Sequence, residues 1–177
     1  MKEPDVRVVI VDYDLSWPRL FQEEQARLVN ALDVLACDVL HIGSTSVAGL
    51  PGKPIIDILL VVDRLGSADP YLVPLEEQGY TFYPLVSNPE RLMFGKGHPH
   101  THHLHIVERG GEEHIRPLLF RDYLRTHPET ARDYAMLKRG LAARFHDNRA
   151  AYTAGKTDFI LGIEAIARAG EDGASRV

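Results

Sequence analysis

The sequence predicts an α/β chain of the α+β kind: a mixed β-sheet flanked by helices, with a helical C-terminal part. Three observations carry this. "PIIDILLVV" (residues 54–62) is an almost unbroken apolar run, the pattern of a strand covered on both faces. "HLHIVE" (residues 103–108) is a second strand-like run. In the last third, apolar residues recur at helical spacing, as in Tyr134, Leu137, Leu141 and Phe145.

The remaining elements follow in order. Val6 to Val11 is β-branched and reads as a strand. Ser16 can cap a helix that tolerates Pro18 in its first turn, and Leu20, Phe21, Leu28, Leu32 and Leu35 continue its apolar face to about residue 36. "DVLHI" is a short strand, and "GSTSVAGLPG" after it is a glycine-rich loop with room for a helical turn. Residues 68–78 read as a short helix with Leu72 and Leu75 inward. "YTFYPLV" and "RLMFGK" are shorter strands around an "SNP" turn. Pro117 is expected to open a helix that Pro128 stops, and Thr126 with Glu129 spells a capping box for the next one. A last helix presents Phe159, Ile160, Ile163 and Ile166, and the tail from about residue 168 is expected to fray.

A length of 177 residues fits one domain, residues 1–177. A net charge of −5 argues against a protein that coats nucleic acid, while leaving room for a local basic site. Cys37 is the only cysteine, so an intramolecular disulfide and a thiolate zinc cluster are excluded. That composition fits a reducing, cytoplasmic setting, with Cys37 as a small core residue. No stretch approaches the ~20 apolar residues of a membrane span, and the N-terminus lacks the apolar run of a signal peptide. A small-molecule partner is expected, neither a membrane nor nucleic acid; composition leaves the oligomeric state open.

The chemistry gathers in three places. Gly43 lets the backbone approach a bound group closely, and the amides after it, with Ser44, Thr45 and Ser46, can cradle phosphate oxygens. The plainer reading is a strand-to-loop turn with satisfied hydroxyls. Asp57 is a carboxylate in an apolar strand, costly to bury unless a metal, a cation or hydrogen bonds hold it. Its same-face neighbours are Ile55 and Leu59, which cannot ligate, whereas magnesium chemistry on phosphates commonly uses more than one carboxylate. Alternatively Asp57 bonds loop amides and holds the turn in shape.

Five of the nine histidines lie in "HPHTHHLH". His103 and His105 share a strand face, as a ligand pair would, and imidazole is both a common metal ligand and an acid–base near neutral pH. His98 and His100 flank Pro99 and read as loop residues. The alternation "HPHTH" resembles histidine-triad nucleotide hydrolases only weakly, since Pro99 and Thr101 stand where apolar residues belong. "AYTAGKT" ends like a P-loop, but Ala150 replaces the first glycine and no strand precedes it. Lys156, one turn after Tyr152 on an expected helix, can still reach a phosphate. Arg121, Asp122 and Arg125 form either a surface ion pair or an arginine fork for phosphate.

Together, "HIGSTSVAGLPGKPIIDI", "HHLHIV", "FRDYLRTHPETARDYAMLK" and "YTAGKTDFI" resemble the GrpB family over almost the whole chain. The resemblance implies a nucleotidyltransferase-like fold, the core shared by DNA polymerase beta, with Gly43, Ser44 and Asp57 at its active-site positions. The wider superfamily pairs Asp-x-Asp with a third aspartate on a later strand to hold two metal ions. Here only Asp57 is present, and the third position falls on "HLHIVE", where His103 or His105 stands; histidine favours zinc or manganese over magnesium more than aspartate does.

Two functions are implied. In the first, a divalent metal (Mg, Mn or Zn) on Asp57 with His103 or His105 orients a nucleoside triphosphate for nucleotidyl transfer to an acceptor. Asp57 and His105 are then the catalytic residues. Gly43, Ser44 and Thr45 hold phosphates, and Lys53, Arg121, Lys138 and Lys156 neutralise charge. In the second, a catalytically weakened domain binds a nucleotide or another phosphorylated ligand.

Overall fold

The apolar runs become five strands of one mixed sheet: β1 (Asp38–Ile42), β2 (Ile56–Val62), β3 (Tyr80–Phe82), β4 (Arg91–Lys96) and β5 (His102–Glu108). Their spatial order is β1-β2-β5-β4-β3, with β2 and β5 parallel and the other neighbours antiparallel. This computed structural model describes residues 7–32 and 38–174. Helices α1 (Trp17–Leu32) and α2 (Asp69–Glu77) precede the β3–β5 part, and α3 (Glu112–Thr126), α4 (Pro128–Arg144), α5 (Arg149–Ala154) and α6 (Thr157–Ala174) follow it.

Strand alternation sorts the two faces. Ile56, Ile58, Leu60 and Val62 of β2, with Leu104 and Ile106 of β5, bury against Trp17, Leu28 and Leu32 of α1 and Tyr71 and Leu75 of α2. Leu59, Val61 and Val107 point the other way, with Leu118 of α3 packed on them. Each such side chain contributes roughly 1.5–3 kcal/mol by leaving water, so β2 is fixed from both sides. A third cluster joins Val47 and Leu50 of the glycine-rich loop to Leu124, Tyr134, Phe159 and Ile160. That cluster ties the loop to the helical C-terminal part.

Register places the site. Asp57 lies level with Ile42 on β1 and His103 on β5, and His103 lies level with Gly95 on β4. Asp57, His103 and His105 therefore project from the face opposite α1 and α2.

Several expected elements differ. Residues 7–10 form no strand; Val11 makes only an isolated bridge to Gly52, because the segment is held by backbone bonds from Val8 to His146 and between Val11 and Gly52. Val6, Leu35 and Cys37 lie outside the described residues. In α2 the inward pair is Tyr71 and Leu75, at i and i+4, and Leu72 is exposed. Helix α3 starts at Glu112, placing Pro117 inside it. Glu112 and Glu113 supply the first-turn acids that favour a helix N-terminus. The capping box does not form: Thr126 still belongs to α3, its hydroxyl donates to the Asp122 and Tyr123 carbonyls, and Pro128 opens α4. Ile166 is exposed, and α6 continues to Ala174, into the segment expected to fray.

Candidate functional site

The turn after β1 is built around Gly43, whose φ of 71° suits glycine. A single 3₁₀ turn, Ser44–Ser46, follows, closed by the Ser46 amide and hydroxyl both donating to the Gly43 carbonyl at 3.2 and 2.6 Å. A Cβ on Gly43 would lie 2.5 Å from Asp57 Oδ2, so the carboxylate packs directly on the bare backbone. Thr45 is buried, and its hydroxyl meets His41 Nε2 at 2.9 Å. His41 stacks on Phe21 with ring centroids 4.6 Å apart. Burial, aided by Arg125 and Arg121 and opposed by Asp57, holds this imidazole neutral down to about pH 4.

The two candidate arginines brace this turn from α3. Arg121 donates to the His41 carbonyl at 3.0 Å and grips Asp122 with its other nitrogens, and Arg125 donates twice to the Ser46 carbonyl. The Asp122–Arg125 pair expected at i, i+3 is also present, at 3.3 Å.

Three lysines lie close enough to Asp57 to feel its charge or to lend it theirs. Lys138 of α4 is 2% exposed, and its Nζ donates to Ser44 Oγ at 2.7 Å and to the Pro51 carbonyl. Gly52 makes this possible, since a Cβ there would lie 2.9 Å from Ser44 Cβ. Burial first, then Lys156 and Arg139, push Lys138 down to about 7 against the pull of Asp57. Lys156 lies between α5 and α6, its Nζ 4.5 Å from the Tyr152 ring centroid. Burial and then Lys53 lower it to about 8, again opposed by Asp57. Lys53 also adds its charge to Asp57.

Asp57 is the carboxylate at the centre, its side chain 31% exposed. Burial pushes its pKa up, but the hydrogen bond from His103 and the charges of His103, His105 and Lys53 outweigh it and hold Asp57 at about 2. His103 is buried, with Nδ1 3.0 Å from Asp57 Oδ1 and Nε2 3.3 Å from His100 Nδ1. His100 Nε2 in turn meets the Tyr83 hydroxyl at 2.9 Å. The His105 ring lies 6.5 Å from that of His103, and burial lowers its pKa to about 4, with Asp57 opposing. His98 is exposed. His102 lies on the other sheet face, near the buried Glu24 that Lys96 and Arg27 neutralise.

These donors do not fit the expected divalent metal. Both ring nitrogens of His103 are engaged by protein groups, and the Asp57 oxygen facing it accepts from imidazole. Among the described residues no three His, Cys, Asp or Glu side chains converge as a metal site requires. The arrangement instead offers a concentration of ammonium groups beside a glycine turn, which suits an anion.

Of the residues singled out in the sequence, the structure brings Gly43, Ser44, Asp57, His103 and Lys138 together, with the charges of Lys53 and Lys156 acting on Asp57. The sequence predicts Thr45 and Arg121 as ligand contacts, whereas both are committed to internal bonds with His41 and its carbonyl. Tyr83 carries no such signal of its own in the sequence, and His100 reads there as a loop residue. The available signal was Gly95: glycine inside a strand marks a close approach, and a Cβ there would lie 2.9 Å from Tyr83 Cε2 and 3.1 Å from His100 Cε1.

A family model described as GrpB protein matches residues 7–165. A UPF0157 protein of Pseudomonas aeruginosa is 40% identical over 164 residues, 90% of this chain and 67% of that one. The UPF0157 protein YqkA of Bacillus subtilis is 37% identical over 166 residues, 93% of this chain and 48% of that one. The chain thus spans about two thirds of one relative and about half of the other. The crystal structure of the conserved protein GrpB from Enterococcus faecalis superposes with a TM-score of 0.83 at 36% identity, covering 90% of this chain and 96% of that one. The Cid1 poly(U) polymerase shares the fold alone, with a TM-score of 0.51 at 14% identity over 82% of this chain and 49% of that one. Among the described residues no helix is long and apolar enough to cross a membrane.

Proposed function

The chain belongs to the GrpB family, and on that premise we propose that it binds a phosphorylated small molecule, a nucleoside triphosphate foremost, at the Gly43–Ser46 turn. Lysine charge holds the phosphates, in place of paired metal ions. The observation that carries this is the buried Lys138 ammonium on Ser44 Oγ, with Lys156 and Lys53 beside it and Asp57 as the opposing carboxylate. Burial and mutual repulsion depress two of these lysines, and a phosphate brought among them relieves that repulsion. The nucleotidyltransferase-like fold supports the same class of ligand, because its glycine turn and the following strand are the parts gathered here. A cytoplasmic setting goes with this reading.

The second reading is nucleotidyl transfer to an acceptor. It is favoured by the ionised Asp57 packed directly on Gly43.

A thermal-shift screen of nucleoside triphosphates and sugar phosphates tests the proposal, run in EDTA and with magnesium, manganese or zinc. A ligand at a hundred times its Kd adds about 2.7 kcal/mol of stability, a readily measured shift. Stabilisation that survives EDTA is the expected result, and pyrophosphate release from the hit separates transfer from binding. Absence of stabilisation by every phosphate would overturn the reading.

A further inference from the structure

Tyr83 belongs to a row of hydrogen bonds that begins at Asp57. The links are Asp57 Oδ1 to His103 Nδ1 at 3.0 Å, His103 Nε2 to His100 Nδ1 at 3.3 Å, and His100 Nε2 to the Tyr83 hydroxyl at 2.9 Å. With both imidazoles neutral, one proton order satisfies all three. An ionised carboxylate only accepts, so His103 carries its proton on Nδ1. Neutral His103 then accepts at Nε2, which puts the His100 proton on Nδ1. His100 accepts at Nε2, and the phenol donates to it. Every donor points toward Asp57.

This is the hydroxyl–imidazole–carboxylate logic of activated nucleophiles, extended by one imidazole. The carboxylate fixes the ring orientation and stabilises an imidazolium, and the far nitrogen removes the hydroxyl proton. The sheet is shaped around the row. Gly95 leaves the space that Tyr83 and His100 fill, and the rings pack edge-on at 5.5 Å (Tyr83–His100) and 5.3 Å (His100–His103). The inner end is buried at His103. Tyr83 is half-buried, and the exposed Leu85 and Val86 follow it.

We propose that Tyr83 is a nucleophile, activated by His100 with His103 and Asp57 behind it, that accepts a nucleotidyl group from a nucleoside triphosphate. The donor class rests on the phosphate-binding reading; the activation of Tyr83 does not. In the step, the phenol oxygen bonds to the α-phosphorus as the anhydride P–O bond breaks, and pyrophosphate leaves with the electron pair. The phenol proton passes to His100 Nε2, and the His100 Nδ1 proton passes to His103 Nε2. A charged His103 ring is left against Asp57, and Tyr83 carries a phosphodiester.

The test labels the full chain with an arylsulfonyl fluoride and reads each tyrosine by peptide mass spectrometry. The other six tyrosines are internal standards, with the half-buried Tyr13 and Tyr123 the fair comparators. Tyr83 should react at least about tenfold faster than these two, as expected of a hydroxyl with a positioned base. His100→Gln and Asp57→Asn should bring Tyr83 down to the rate of Tyr13 and leave the other tyrosines unchanged. Equal rates in the wild type overturn the activation. Should the variants not fold, long-range nitrogen–proton NMR of the wild type decides: the neutral His100 and His103 rings must both carry the proton on Nδ1, and a proton on Nε2 of either overturns it. Incubation with ATP should then add an AMP mass to Tyr83, absent in Tyr83→Phe. Fast labelling without that adduct overturns the nucleotidyl assignment, independently of whether ATP stabilises the fold.

Discussion

The Asp57 carboxylate occupies the space that a side chain on Gly43 would need, with Oδ2 only 2.5 Å from the position of a Cβ. Gly49 has a similar φ, 77° against 71°, yet has open space around it. Gly43 also has a ψ of −171°, in a region that essentially only glycine occupies, so its backbone and the carboxylate both act against a side chain. Gly49→Ala is expected to lose about 1 kcal/mol for the left-handed backbone alone. Gly43→Ala should lose at least about 2 kcal/mol, because its backbone region excludes a Cβ and the Asp57 side chain must also move. Urea unfolding midpoints of the two variants check this, and equal losses would remove the carboxylate from the explanation.

Asp57 has a sign to test as well. Its folded pKa of about 2 lies below the ordinary aspartate value of 3.8, because the His103 bond and the nearby positive charges outweigh burial. Such a group contributes stability above about pH 4 that is lost as pH falls through about 2. The contribution is on the order of 2 kcal/mol at neutral pH. Asp57→Asn should therefore be less stable at pH 7, with the gap to wild type closing between pH 4 and pH 2. Acid unfolding followed by circular dichroism reads both.

Lys138 runs in the opposite sense. Burial, Lys156 and Arg139 lower it from 10.5 to about 7, so between these values the unfolded chain binds the proton that the folded chain has lost. Wild-type stability should gain from this group as pH rises from about 7 to about 10. Lys138→Met should flatten that part of the slope, leaving the smaller rise from Lys156. Urea midpoints across the range measure it; an unchanged slope would mean Lys138 is hydrated.

Much of this is legible in the sequence. β2 and β5 announced themselves because strands covered on both faces carry apolar residues at nearly every position, which makes Asp57 and His103 conspicuous. The glycine turn was legible because Gly43 has a backbone reason to be glycine. Other features depend on long-range geometry. Lys138 sits in an ordinary helical repeat, and only the docking of α4 on residues 44–52 makes it one of the most buried side chains. The Tyr83–His100 link needs the β4–β5 register that sets Gly95 opposite His103. Pro117 misled because proline favours a first turn, whereas here the acidic pair before it sets the start of α3.

Phosphate binding by lysine charge makes a proton-linked prediction. An anion placed beside Lys138 and Lys156 raises pKa values that now stand at about 7 and about 8. Binding of ATP at pH 8 should therefore take up protons, seen as a binding heat that varies with the ionisation enthalpy of the buffer. Buffer-independent heats would place the ligand away from these lysines.

Isothermal titration of ATP into wild type and Lys138→Met, each with EDTA and with magnesium, is the most direct measurement. Lysine-held phosphates predict wild-type binding that persists in EDTA and weakens at least about tenfold in Lys138→Met, the loss of one charge-assisted hydrogen bond. Binding that requires the divalent metal and is indifferent to Lys138→Met would contradict it.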